Sequence, residues 1–434
     1  MALPLIDEIL CRLPVKHLLC CRCVSKDWCS LIDSAAFIKK HHANAIECNP
    51  EGDGVIINDV EWNPTDGDGE VVPRGQYCLT DLESLYGDEN EDVVEIDEPL
   101  KTVLWNAGLV GAANCLACFC KNGVKEFVVV NPATRKFRKV PGMVGEIGDW
   151  FEAALVTRFG FGYDHVNDDY KIVRVAQFTQ DNPNSFHGIV VAVYSLRSDN
   201  WTEIQNVPSN VCLVTQLGLF TSGALYWLGN KVSHGLYYRI IVSFDLGIGQ
   251  YMEIPFPVLP FLVPNECFSV VPTRGSLCIF NKHAESGMDV WLKNNSGEES
   301  PWYKAFSVEQ CALGSFEYIK LVAFSKDGKE VLLNVGNTDC RSTTKLVWYE
   351  PERKVVKNVR ICGIPSRFGS KLYRESLLQL TKNEGLVQLA ENEGLLQLTV
   401  NEQLQKPSED KKEEKQQKKR DTWFTERWRS WIMR

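Results

Sequence analysis

Long apolar runs are missing from this 434-residue chain: none approaches the ~18 residues that a membrane-spanning helix needs. The opening residues, MALPLIDEIL, carry no basic stretch ahead of an apolar one, and Asp7 and Glu8 interrupt them, so no signal peptide is expected. Catalytic fingerprints are equally scarce. No GxGxxG, Walker loop, GxSxG or HExxH occurs, and Gly160-Phe161-Gly162 is a fragment of a glycine motif without a βαβ pattern around it. Histidine is sparse, with 7 residues scattered along the chain, which leaves little material for clustered metal ligands or acid–base pairs. Positive charge is almost absent between positions 51 and 98, where 16 Asp/Glu face one basic residue, Arg74. No broad basic face of the kind a dedicated nucleic-acid binder requires is readable, so no nucleic-acid partner is expected.

What is present is ordinary: 44% apolar, 24% charged and 10% aromatic residues, a composition that excludes collagen-like and wholly disordered chains. The length allows one large domain with appendages or a few smaller ones. The 16 cysteines, without a secretion signal, read as reduced and largely buried thiols. Cys115, Cys118 and Cys120 form a CxxC-x-C cluster, but no second pair lies at metal-finger spacing and the segment alternates like a strand. His41 and His42 with Cys48 are a weaker cluster still. Asp66, Asp68 and Glu70 resemble a calcium loop, with Val71 where the turn needs glycine. Buried thiols and a solvated acidic loop are the expected readings. No metal, no cofactor and no catalytic residue is expected.

The first 45 residues read as three short helices. Leu5, Ile6, Ile9, Leu10 and Leu13 share one face, Pro14 ends that helix and starts a second through Val15, Leu18, Leu19, Cys23 and Val24 towards Trp28, and a third covers Ser34–His42. Such a module buries too little apolar surface to stand alone, so a partner or the following domain must cover it.

From about Tyr77 the period becomes strand-like. A strand–turn–strand unit recurs at 76–96, 127–140, 191–204, 241–254, 288–306 and 346–359, with successive starts 51, 64, 50, 47 and 58 residues apart. A repeat of about 50 residues with roughly four strands is the mark of a kelch-like propeller blade, and six copies predict six blades; a β-sandwich pair gives no reason for the period. The acidic stretch 51–98 is expected to be a partly ordered edge of the first blade, with its charge facing solvent. Three nonapeptides follow, LLQLTKNEG (377–385), LVQLAENEG and LLQLTVNEQ, then a charged, mostly disordered tail over 381–434 ending in Phe424, Trp428 and Trp431. No membrane contact by this tail is expected. Lys418-Lys419-Arg420 resembles part of a nuclear-import signal, and a cytoplasmic and nuclear location is expected.

Two resemblances attach to these regions. Leu3-Pro4, Ile9-Leu10, Leu13-Pro14, Leu18-Leu19, Arg22, Val24, Lys26, Trp28, Leu31-Ile32 and Phe37-Ile38 are spaced as in an F-box, although Cys20 and Cys21 stand where larger residues are usual. VVNPATRKFRKVP (129–141), GFGYDHVNDDYKIVRV (160–175), VYSLRSDNWTEI (193–204), GALYWLG, VSFDLGIGQYMEIPFP (242–257), MDVWLKN and LVWYEPERKVVKNVRICG (346–363) resemble the plant F-box-associated domain, with ESLLQL (375–380) as its last strand. The resemblance implies a mainly β protein: a three-helix F-box (1–45), the acidic segment and first blade (46–103), the propeller (104–380) and the tail. It also implies a substrate receptor, held to a Skp-family adaptor, and through it to cullin and a RING protein, by Leu3, Pro4, Ile9, Leu10, Leu13, Pro14, Leu18, Leu19, Val24 and Trp28. An unidentified target protein is expected on the loops 142–158, 176–188 and 255–270, with Trp150, Phe151, Phe178, Phe186, Phe256 and Phe261 as anchors. Relatives associated with immune receptors make defence signalling the expected setting. A carbohydrate-binding, lectin-like F-box protein, an enzyme on the propeller and an adaptor-bound protein without a degradation role remain as alternatives.

Overall fold

The computed structural model describes residues 3–48, 54–59, 61–62, 71–72, 76–86, 91–121, 126–143, 156–179, 186–205, 211–233, 236–257, 267–270, 276–283, 287–293, 302–314, 316, 318–336 and 343–380. The recurring strand–turn–strand units are the outer hairpins of six antiparallel blades built on four strands each, two of which are joined through their inner strands into one nine-stranded sheet. Two of their turns share one device, in which a side-chain oxygen satisfies two backbone donors before a residue in the left-handed region. Asn131 Oδ1 accepts from Ala133 N (3.1 Å) and Thr134 N (3.3 Å), with Arg135 at φ 58°. Asp245 Oδ1 accepts from Gly247 N (2.8 Å) and Ile248 N (3.0 Å), with Gly249 at φ 68°.

The inner strands are Gly108–Ala113, Val156–Asp164, Leu217–Thr221, Cys267–Val270, Tyr318–Phe324 and Phe368–Tyr373. Each neighbours the next, and the last neighbours the first, so the sheets close into a six-bladed propeller. Closure is made in blade 1, where Phe368–Tyr373 pairs antiparallel with Gly54–Asp59 in the register Gly54↔Tyr373 to Asp59↔Phe368. Small residues let neighbouring blades approach. A Cβ on Gly160 of blade 3 would lie 2.7 Å from Leu225 Cδ1 and 2.9 Å from the buried Trp227 ring of blade 4, and within blade 4 one on Gly218 would lie 2.5 Å from that same ring. The Gly160-Phe161-Gly162 fragment is therefore a seam between blades 3 and 4, where inner strands also pair through Phe159↔Leu217 and Gly160↔Gly218.

Several expectations are corrected. The second helix is in two pieces, so four helices precede the propeller: α1 (Leu3–Leu10), α2 (Val15–Cys21), α3 (Lys26–Ile32) and α4 (Ala35–Cys48). The break comes where Ser25 turns extended and its Oγ accepts from Trp28 N at 3.2 Å, capping α3. The acidic stretch contributes an interior strand as well as an edge: Val55, Ile56 and Ile57 are buried at 0–1% exposure. Part of its charge is engaged, through Glu95–Lys101 (2.9 Å), Asp97–Arg135 and Glu83–Lys326. The last strand is Phe368–Tyr373, not ESLLQL. Residues 374–380 run as a strap without sheet pairing. Asn131 Nδ2 donates to the carbonyls of Ser376 and Leu378 (both 2.9 Å), and Arg374 N to that of Asn114 (2.8 Å). Leu380 enters the core of blades 2 and 3, while Leu377, 5% exposed, packs with Leu10, Leu18 and Phe37 of the helices. The calcium-like residues Asp66, Asp68 and Glu70, and the tail after 380, lie outside the described residues.

Two substitutions test this packing. Gly218→Ala should lower stability by about 1–3 kcal/mol, because the added methyl meets the rigid Trp227 ring; urea unfolding followed by tryptophan fluorescence measures it. Leu377→Ala should cost about 2–4 kcal/mol and raise hydrogen exchange in α1–α4 before it does so in the blades.

Candidate functional site

The helical module has an inward and an outward set of apolar residues. Leu10, Cys11, Val15, Leu18, Ile32 and Phe37, all at 0–3% exposure, form its core. Two ion pairs hold the helices: Arg22–Asp33 at 2.8 Å and Lys40–Asp7 at 2.6 Å. Each cation is held above its ordinary pKa mainly by the hydrogen bond to its carboxylate. His41 joins the two ends of the module, its Nε2 lying 2.9 Å from the Leu13 carbonyl.

Of the residues expected to meet the adaptor, Ile9 and Val24 are the outward ones, at 55% and 65% exposure. Pro14 is exposed, and Leu13, Leu19 and Trp28 are half-buried at the edge of the core. Leu10 and Leu18 point inward and hold the module together, so their part in any contact is to shape the surface. Leu3 and Pro4 open α1. The helical period marks one apolar stripe, and it took three dimensions to divide it into core and surface.

Strand order fixes where the connections emerge. The strap, the helices and the outer-hairpin turn at Ala133 meet on one face of the propeller. With antiparallel strands in this order, the links between blades and the links between second and third strands leave from the other face. All three expected target-binding loops, 142–158, 176–188 and 255–270, belong to strand ends of that far face. The loop expected at 176–188 is shorter than its sequence suggests, since strands run through Thr179 and resume at Phe186, and these two residues pair.

The aromatic anchors are placed differently from one another. Phe178 is buried at 6% exposure in its strand and is a packing residue, a correction to its expected role. Phe256 is half-buried against Leu228, Ile241, Leu277 and Ile279, where it closes the seam between blades 4 and 5. Phe186 begins a strand at the far face. Trp150, Phe151 and Phe261 lie outside the described residues. Cys115 and Cys118 are fully buried at and beside the strand Leu116–Lys121, and burial raises both thiols above their ordinary pKa; Cys115 Sγ lies 3.3 Å from Tyr170 Oη. They are core residues of blade 2. Asn131 and Leu377, which anchor the strap, were missed by sequence reasoning; the NPATRK turn carried only a turn signal.

Comparison with known proteins agrees with this arrangement. The F-box domain model matches residues 2–40, and the F-box associated beta propeller domain model matches residues 95–382. Among relatives, F-box protein CPR1 of Arabidopsis thaliana is 28% identical over 400 residues, covering 86% of this chain and 87% of that protein. F-box protein At4g22390 is 26% identical over 372 residues (80% and 83%), and F-box/kelch-repeat protein At3g23880 is 28% identical over 337 residues (76% and 84%), both from Arabidopsis thaliana. This chain belongs to the plant F-box proteins in which an F-box precedes an F-box-associated β-propeller domain.

Proposed function

We propose that the chain is the substrate-recognition subunit of a Skp–cullin–F-box ubiquitin ligase. The observation that carries this reading is the two-faced construction: a helical module offering exposed Ile9 and Val24 is packed on one face of a propeller whose inter-blade connections leave from the other. The module binds the adaptor, and the far face binds a target protein. The chain makes and breaks no bonds itself. It raises the effective concentration of target lysines beside a ubiquitin-charged enzyme, a contribution of proximity alone. The target proposed from the resemblance is a regulatory protein of defence signalling, captured by proximity labelling with an F-box-deleted chain.

Ile9→Asp with Val24→Asp places charge on two exposed positions, so thermal unfolding should be unchanged. Adaptor affinity should fall at least about 30-fold, on the order of 2 kcal/mol for losing a central interface contact, and target turnover should stop. Wild-type adaptor pull-down by this variant would refute the reading. Replacing 180–185 with a short Gly/Ser turn should leave adaptor binding and melting temperature intact while slowing turnover of the captured target. Unaltered turnover would exclude this loop from the target face.

A further inference from the structure

Three cysteines crowd the end of α2, in the run Cys20-Cys21-Arg22-Cys23. Of Cys11, Cys20, Cys21, Cys23 and Cys29 in the helical module, only Cys20 and Cys23 are exposed. Cys11 belongs to the core and Cys21 is half-buried against it, while Cys29 Sγ donates to Asp33 Oδ2 at 3.4 Å.

The backbone sets this exposed pair on one side of the turn. Arg22 N donates to Leu18 O (3.1 Å) in the α-helical pattern. Cys23 N then donates to Cys20 O (3.0 Å) and Val24 N to Cys21 O (3.1 Å), so the last turn tightens to the 3₁₀ pattern. In that geometry residues three apart stand one above the other, about 6 Å apart at a rise of ~2.0 Å per residue. A disulfide accepts Cα separations of ~4.4–6.8 Å but needs its Cβ atoms ~3.5–4.5 Å apart. Cys20 and Cys23 are thus near enough to be joined, but joining them must draw the turn tighter. Two neighbours transmit that movement. Val24, 65% exposed, follows Cys23 directly, and Arg22, between the two thiols, is paired with Asp33 at the end of α3 (2.8 Å).

We propose that Cys20 and Cys23 are a redox-modified dithiol, oxidised by a peroxide to an intramolecular disulfide that weakens the adaptor contact. One thiolate attacks a peroxide oxygen: an S–O bond forms, the O–O bond breaks, and the leaving hydroxide takes a proton to become water. The second thiol attacks the resulting sulfenic sulfur: the S–S bond forms, the S–O bond breaks, and a second water leaves with the thiol proton. Two thiols are oxidised and one hydrogen peroxide is reduced to two waters. A dithiol reductant reverses the step, as exposed disulfides are the labile ones. Tightening the turn breaks the Val24 N to Cys21 O bond and moves Val24 off its surface position. The effect is reciprocal: the adaptor favours the dithiol form by the same factor as the disulfide disfavours the adaptor. The consequence for the adaptor rests on the receptor reading; the modification itself does not.

The test treats the full chain with hydrogen peroxide, blocks free thiols by alkylation and digests with trypsin. Cleavage after Lys16, Arg22 and Lys26 separates the two thiols, so the disulfide appears as peptide 17–22 linked to peptide 23–26, and dithiothreitol should part them. Cys20→Ser or Cys23→Ser should each abolish the linked pair, whereas Cys21→Ser should keep it. Calorimetry with the adaptor should show at least fivefold weaker binding after oxidation, restored by dithiothreitol. The Cys20→Ser/Cys23→Ser variant should melt as the wild type does and bind the adaptor equally with and without peroxide. Cys362→Ser, which removes another exposed thiol, should leave the response intact. No linked pair, a linked pair that survives Cys20→Ser, or oxidation that leaves adaptor affinity unchanged would overturn the proposal. A reduced chain that fails to bind the adaptor would instead refute the receptor reading, and the peptide map would still decide the modification.

Discussion

The strand Phe368–Tyr373 returns from the end of the propeller to pair along its whole length with Gly54–Asp59, and the placement of every other feature follows from that pairing. It makes the inner strand of blade 1 the last strand in sequence and the second strand the first. The chain therefore enters and leaves the propeller on the same face. The helices, which precede the entering strand, and the strap, which follows the closing one, are brought side by side there. Leu377 can then enter the helical core while Asn131 holds the strap from the propeller side.

Closing so long a loop is tolerable because its entropy grows only with the logarithm of its length. Each large apolar side chain buried at the seam contributes about 1.5–3 kcal/mol. Val55, Ile57 and Phe368 are buried towards blade 6, with Trp348 donating to the Leu85 carbonyl at 2.9 Å; Ile56 and Tyr373 are buried towards blade 2, beside Phe119. The closing sheet is thus gripped from both sides. Elsewhere the same tightness depends on missing side chains, as where Gly160 and Gly218 admit Leu225 and Trp227.

The outer hairpins were legible because each couples an alternating strand to a turn with its own chemistry, as at Asn131 and Asp245. The inner strands, and the second strand of blade 1, were harder to read. Val156–Asp164 and Leu217–Thr221 carry glycine where a strand pattern expects bulk, and Gly54–Asp59 was hidden in the most acidic part of the sequence. ESLLQL misled in the opposite way. Its leucines are buried, as a strand's would be, but in two different cores, Leu377 among the helices and Leu380 among the blades. Apolar spacing records that a residue is buried and not what buries it. The same limit divided the site residues: Leu10 and Ile9 are neighbours in one motif, yet one is core and the other surface, and Phe178 proved to be packing.

This division bears on how a receptor of this shape does its work. If tethering is the whole contribution, the useful quantity is the concentration of target lysines it sustains near the charged enzyme, and that falls when the link between the two binding faces is slack. A flexible joint between helices and propeller would spread the target over a larger volume. Here the joint is a packed core shared by α1–α4, Ala133 and Leu377, stitched by Asn131 to two carbonyls of the strap. The residues that hold the module rigid, Leu10 and Leu18 among them, lie within the same motif as those left outward, Ile9 and Val24. Core and exposed surface are thus divided between alternate faces of the same short helices, and a substitution in the motif changes the packing or the exposed surface, depending on which way its side chain turns.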